Sequence, residues 1–220
     1  MKAIVLVGGP MRDVAFYRPL FSGVELIVCA DGGAKLARRL GVRPHVVVGD
    51  LDSLDEATRK WLQEGSCRFF PHPARKDETD TELALKYALT QGAEEIILLG
   101  ALGSRLDHTL ANILLLALPE LAGRKAKIVD ESQEIFLARD DAPEETVIEG
   151  QVGDLVSLLP LKGDAGGIYT EGLEYALQNG TLRFGLARGV SNVMTKPVAR
   201  IRVKKGVLLA IHLTGVRRTS

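Results

Sequence analysis

Short runs of aliphatic and β-branched residues recur through the first half of the chain, each broken by glycine or by a carboxylate. Ala3–Val7 closes on Gly8-Gly9-Pro10, Leu26–Ala30 on Asp31-Gly32-Gly33, Val46–Val48 on Gly49-Asp50, and Glu95–Leu99 on Gly100. Such runs, without polar alternation, predict strands buried on both faces. Cys67–Phe70 is a further short strand. Helical signals lie between them. Leu36, Ala37 and Leu40 precede a Gly41 C-cap, and Leu54–Glu64 ends at Gly65. Ser53 with Glu56, and Thr79 with Glu82, read as capping boxes. They predict one helix starting near Leu54 and another running through Leu83, Tyr87 and Ala88 to Gly92. Leu110, Ile113, Leu114, Ala117 and Leu118 recur at helical spacing and mark a last helix.

From Lys127 the texture changes. Ile128-Val129 completes the last strand of the α/β half, and short apolar runs separated by turns follow. They are Glu134–Ala138, Thr146–Ile148, Asp154–Leu159, Gly167–Tyr169, Thr181–Phe184, Ala199–Val203 and Val207–Leu213. Their spacing, and the lack of a long amphipathic helix, predict an antiparallel β-sandwich. Two domains are therefore expected, residues 1–126 and 127–220, with a boundary near Gly123–Asp130 and a frayed tail at Arg217–Ser220.

Composition narrows the function classes. Across 220 residues, 28 basic side chains balance 28 acidic ones, so net charge points neither to nucleic acid nor to an acidic membrane surface. Hydrophobic content of 46% with 25% charged residues is that of a soluble globular protein. Cys29 and Cys67 lie in or beside strand-like runs and read as buried, reduced thiols. Ala3–Val7 is too short for a signal peptide, and no apolar stretch is long enough to span a membrane. A soluble, cytoplasmic protein is expected.

The candidate chemistry sits where strands end. Asp50 and Asp52 occupy the turn after Val46–Val48, where open α/β sheets bind ligands. Two hard oxygen ligands so close together suit Mg²⁺ bridging substrate phosphates, although Asp-x-Asp-Ser also occurs as an ordinary acidic turn. Asp31 ends another strand, and Gly32-Gly33 leave that turn open to a flat ring or a phosphate. The stretch Arg75-Lys76-Asp77-Glu78-Thr79-Asp80-Thr81 places two acids at a helix N-terminus, where the dipole favours oligophosphate and its metal ions need acid ligands. Capping alone would account for either acid singly. Gly103-Ser104-Arg105-Leu106-Asp107-His108 sets an Arg fork, an Asp and a His around a helix start, a combination suited to phosphate and ribose. Gly8-Gly9 is a weak signal, for neither the dinucleotide fingerprint nor a P-loop is present. In the second half, Tyr175 offers a face to a flat cationic ring, and Ser191 and Asn192 offer polar groups to a ligand, while all three are also ordinary turn residues.

Taken in order, Cys29-Ala-Asp-Gly-Gly-Ala34, Gly49-Asp-Leu-Asp-Ser53, Lys76-Asp-Glu-Thr-Asp80, Gly103-Ser-Arg-Leu-Asp-His108, Thr170-Glu-Gly-Leu173 and Ser191-Asn192 resemble the bacterial thiamine pyrophosphokinase (thiamine diphosphokinase) family over nearly the whole chain. The resemblance implies an N-terminal Rossmann-like domain and a C-terminal β-sandwich. It also implies a homodimer with thiamine bound between one subunit's α/β domain and the other's sandwich, with no nucleic acid or membrane partner. The implied reaction is ATP + thiamine → AMP + thiamine diphosphate, with Mg²⁺. The residues it marks are Asp50, Asp52, Asp77, Asp80 and Asp107 as catalytic, the first four as metal ligands. Asp31, Gly32, Gly33, Lys76, Thr81, Gly103, Ser104, Arg105 and His108 are marked for ATP, and Tyr175, Ser191 and Asn192 for thiamine. The family often carries Trp where this chain has Tyr175, a smaller stacking face.

Two other classes share parts of the pattern. A metal-dependent glycosyltransferase accounts for Asp50 and Asp52 but not for Lys76–Asp80 or the small β-domain. A non-catalytic thiamine or nucleotide sensor would tolerate loss of the carboxylates, all of which are present.

Overall fold

The structure, a computed structural model, describes residues 1–50, 52, 54–71, 77–142 and 144–215. The chain divides into two compact units, Met1–Glu131 and Ser132–Ser220.

The first unit alternates strands and helices: β1 (Lys2–Leu6), α1 (Val14–Tyr17), β2 (Leu26–Ala30), α2 (Gly33–Leu40), β3 (Val46–Gly49), α3 (Glu56–Glu64), β4 (Arg68–Pro71), α4 (Asp80–Thr90), β5 (Glu95–Leu99), α5 (Leu106–Leu115) and β6 (Lys125–Asp130). The strands lie in the order β6-β5-β1-β2-β3-β4, and every pairing is parallel. All five residues of β2 are buried, as are all four of β3, which is why these strands read as unbroken apolar runs. At the edge, β4 is mostly exposed and carries Arg68 and Pro71, which discourage further pairing. Ile4, Leu6, Val47, Ile97 and Leu99 form one core with Tyr17, Ala37 and Leu62 from the helices. Order reverses at β1: β2, β3 and β4 lie on one side of it and β5 and β6 on the other. The division falls after Glu131 because β6 belongs to this sheet, pairing Glu95–Leu99 with Lys125–Val129.

One local expectation changes. The helix after the Asp50 turn starts at Glu56 and not near Leu54; its N-cap is Asp55, which accepts from Thr58 N at 2.8 Å and Thr58 Oγ1 at 2.9 Å. A charged acceptor satisfying two donors outcompetes a Ser-Glu box. Ser53 itself lies outside the described residues. On α5, Leu110 and Leu114 are exposed, together with Leu106, while Asn112 and the following Leu116 are buried. The periodicity was that of a helix, but the stripe does not face this unit's core. Thr79 does cap α4, accepting from Glu82 N at 3.2 Å.

The second unit contains β7 (Gln133–Arg139), β8 (Thr146–Glu149), β9 (Leu155–Pro160), β10 (Ala165–Glu171), β11 (Gly180–Leu182), β12 (Asn192–Val193), β13 (Val198–Arg202) and β14 (Val207–Leu213). One antiparallel set runs β12-β9-β14-β7 and another β11-β10-β13-β8. Val156, Leu158, Leu208 and Ala210 of the first pack in one cluster with Ile148, Ile168 and Ile201 of the second. Strand β12 is too short to register as an apolar run.

Among the described residues, no helix is long and apolar enough to cross a membrane. Both cysteines are free thiols; burial pushes Cys29 well up and Cys67 to about 11, so neither is poised as a nucleophile.

Candidate functional site: a carboxylate cluster at the strand ends

The turns after β2 and β3 and the start of α4 supply the acids. Because Ala30 pairs with Val48, Asp31 and Gly49 leave the sheet side by side. Asp31 N donates to Val48 O at 2.8 Å, and Asp31 takes φ 33°, a left-handed conformation that non-glycine residues avoid. Two glycines make this packing possible. A Cβ at Gly33 would lie 2.0 Å from Leu6 O, so α2 can start directly against β1 only with glycine there. Gly49 has φ 144°, and a Cβ there would lie 3.0 Å from Asp31 Cβ and 3.1 Å from Asp80 Oδ1. The bare backbone at Gly49 therefore lets Asp31 and Asp80 approach from either side.

Asp31, Asp50 and Asp52 each place an oxygen within 4.8 Å of the others. Asp50 Oδ1 accepts from Asp52 N at 3.2 Å. The Asp52 carboxyl is held above its ordinary value by its hydrogen bond to Asp50, then by the charges of Asp50, Asp31 and Asp80. Asp31 Oδ1 is buried with no hydrogen-bond partner among the described residues. Like charges this close, with an orphaned buried oxygen among them, are relieved by a cation. Hard oxygens in this number fit Mg²⁺.

Asp31, which the family resemblance marks for ATP, is therefore grouped by the structure with the carboxylates Asp50 and Asp52. Its position one residue beyond a buried strand, like that of Asp50, was the available signal. Asp80 stands beside Gly49 as the first residue of α4, and Thr81 behind it is buried. Asp77 is exposed in the preceding turn and is not one of the grouped three. Lys76 lies outside the described residues.

The turn after β5 borders the point where strand order reverses. Gly9 N donates to Gly100 O at 2.7 Å, tying the turns after β1 and β5 together. Gly103 N donates to Thr109 Oγ1 at 3.1 Å, and buried Asn112 donates through Nδ2 to Ala101 O at 2.7 Å. Neither Thr109 nor Asn112 stood out in the sequence; a single amide amid leucines was the only mark. Arg105 grips Asp107 with two of its guanidinium nitrogens, Nη2 at 2.6 Å and Nε at 3.2 Å, and this holds the Asp107 carboxyl down at about 2. Gly103, Ser104 and His108 are exposed on the same turn.

In the second unit, Tyr175 is 60% exposed. Asn192 hydrogen-bonds the Tyr175 backbone, and Ser191, at φ 58°, donates its N–H to Ser157 Oγ at 3.0 Å. These three predicted residues lie together.

The family model for "Thiamin pyrophosphokinase, catalytic domain" matches residues 17–129, and that for "Thiamin pyrophosphokinase, vitamin B1 binding domain" matches residues 145–208. The chain is 28% identical to thiamine pyrophosphokinase of Bacillus subtilis (strain 168), covering 97% of this chain and 100% of that one. It is 26% identical to thiamine pyrophosphokinase 1 of Oryza sativa subsp. japonica, covering 88% and 81%. The crystal structure of thiamin pyrophosphokinase from Geobacillus thermodenitrificans superposes with a TM-score of 0.82 at 29% identity, covering 97% of this chain and 98% of that one. That of the Bacillus subtilis protein gives 0.85 at 26%, covering 98% and 100%. With the catalytic-domain match alone spanning half of its residues, the chain belongs to the thiamin pyrophosphokinase family.

Proposed function

We propose that this protein transfers the diphosphate group of ATP to the hydroxyl of thiamine, giving thiamine diphosphate and AMP. Family membership supports the reaction, and the observation that carries it onto this chain is the grouping of Asp31, Asp50 and Asp52 at the strand ends. We read the first unit as a Rossmann-like ATP-binding domain and the second as a thiamine-binding β-sandwich. The parallel sheet with its turn-borne acids supports the first reading. The core shared by two antiparallel sets of strands supports the second.

Asp31, Asp50 and Asp52 would hold Mg²⁺, with Asp80 and Asp77 supplying further oxygen ligands from the α4 side. When bound, the ion neutralises and orients the triphosphate. The Gly32-Gly33 turn, Thr81 and the Gly103–Ser104 backbone line the nucleotide, with His108 at its polar edge. Arg105, its fork steadied by Asp107, opposes phosphate charge. The thiamine hydroxyl oxygen bonds to the β-phosphorus, the bond from that phosphorus to the oxygen it shares with the α-phosphorus breaks, and AMP leaves with that oxygen. A carboxylate of the cluster accepts the hydroxyl proton. Such transfer depends mainly on alignment and charge neutralisation. Tyr175 stacks on the thiamine ring system, with Ser191 and Asn192 beside it. ATP use and two free thiols, Cys29 buried and Cys67 half-buried, favour a cytoplasmic setting.

We also propose a homodimer whose active site is shared between subunits. The exposed Leu106, Leu110 and Leu114, spaced on one face of α5, support a second copy covering that face.

The test is incubation with ATP, Mg²⁺ and thiamine followed by separation of the nucleotides. AMP formed in step with thiamine diphosphate is expected. ADP would place the attack at the γ-phosphorus and overturn the assignment, as would the absence of any thiamine-dependent product from folded protein.

A further inference from the structure

Tyr175 presents an exposed ring, so side-chain packing does little to orient it; its direction has to come from the main chain. That main chain is held on both sides. Downstream, buried Thr170 accepts from Leu177 N through Oγ1 at 2.8 Å, and Thr170 N donates to Leu177 O at 3.0 Å. At Tyr175 itself the grip comes from Asn192. Its Oδ1 accepts from Tyr175 N at 2.9 Å, and its Nδ2 donates to Tyr175 O at 2.9 Å. The same Oδ1 accepts from Val193 N at 2.9 Å. The Asn192 backbone is in turn fixed to the sheet, where Asn192 pairs with Val156 and Val193 with Leu155.

A carboxamide offers two acceptor sites and two N–H groups. Both acceptor sites of Asn192 are filled, and at most one N–H is left over. We infer that Asn192 is a positioning residue that acts through Tyr175: it occupies both polar groups of the Tyr175 backbone, sets the direction from which the ring meets a flat cationic ligand, and does not read that ligand itself. This assignment rests on the proposed thiamine reading of the same site.

A double-mutant cycle on the full-length protein tests it. Asn192→Ala, Tyr175→Ala and the double variant are assayed with thiamine and ATP varied separately. Asn192→Ala is expected to raise KM for thiamine about tenfold, the worth of one or two hydrogen bonds, while KM for ATP stays as in the parent. In the Tyr175→Ala background the same change is expected to add nothing. Losses that multiply would show Asn192 acting on the ligand directly and would overturn the inference. Equal increases in both KM values would reduce Asn192 to a fold element and overturn it too. If Asn192→Ala does not fold, Asn192→Ser carries the cycle, since it adds no charge and its short hydroxyl cannot hold both polar groups of the Tyr175 backbone. Folded wild-type protein without thiamine turnover would remove the functional reading and this inference with it, a result distinct from multiplying losses.

Discussion

Asp52 is exposed, yet its carboxyl is held above the ordinary range by Asp50 and, more weakly, by Asp31 and Asp80. Exposure makes Asp52→Asn harmless to packing, while the lost charge weakens the cluster where phosphate charge must be met. The variant is expected to melt within a few degrees of the parent and to lose turnover on the order of a hundredfold or more. Thermal melting and a steady-state assay check both halves, and parental turnover would take the cluster out of the mechanism. Asp50 and Asp52 were legible in the sequence because one turn contains both. Asp31 was legible as a strand-end acid but not as their neighbour, because that proximity exists only through the parallel register of β2 and β3. The Arg105–Asp107 pair, two residues apart, was visible as two separate roles; the fork that joins them appears only with side-chain geometry.

At the scale of elements, caps and periodicity told where helices run but not always what they pack against. Helix α4 begins where Thr79 and Glu82 predicted, whereas α3 is capped by Asp55, whose carboxylate satisfies two donors of Thr58. Helix α5 is the sharper lesson. Its leucines look outward, and its buried polar residue, Asn112, holds the turn after β5 through the Ala101 carbonyl. Asn112→Ala strands that buried carbonyl without a partner. A loss of about 1–3 kcal/mol is expected in urea denaturation, with a raised KM for ATP as the turn loosens. Unchanged values in both measurements would mean the turn is held by Thr109 alone.

For the whole molecule, the uncovered Leu106, Leu110 and Leu114 bear on assembly. Leu110→Glu places a charge on a face that is exposed in one chain, so the fold is expected to persist. In a dimer built on that face, the mass in solution drops to one chain and turnover falls with it; light scattering coupled to the assay checks this. In the second unit, Asp154 is one source of acid sensitivity. Asp154 is buried, which by itself would raise its carboxyl, but the Gln151 N–H at 2.8 Å, the His212 ring at 3.1 Å and the Gly215 N–H at 3.4 Å outweigh burial and bring it below 3.8. A depressed carboxylate contributes stability above its unfolded value, and that contribution disappears as pH falls through the folded one. Melting temperature should therefore fall more steeply below about pH 4 in the parent than in Asp154→Asn. Parallel curves would assign the acid limb to other groups.

The amino-acid sequence by itself determined the strands of the first unit, most helix ends, the run of short strands in the second unit and the acids at strand ends. Each is a local matter of hydrophobic period, capping or turn chemistry, settled within about ten residues of chain. Only the tertiary structure decided which acids meet, which face of α5 is buried, and that the Asn192 amide serves the Tyr175 backbone. Those outcomes depend on strand register and on contacts between residues far apart in sequence, Asp31 with Asp50, Asn112 with Ala101 and Asn192 with Tyr175, which no local pattern specifies.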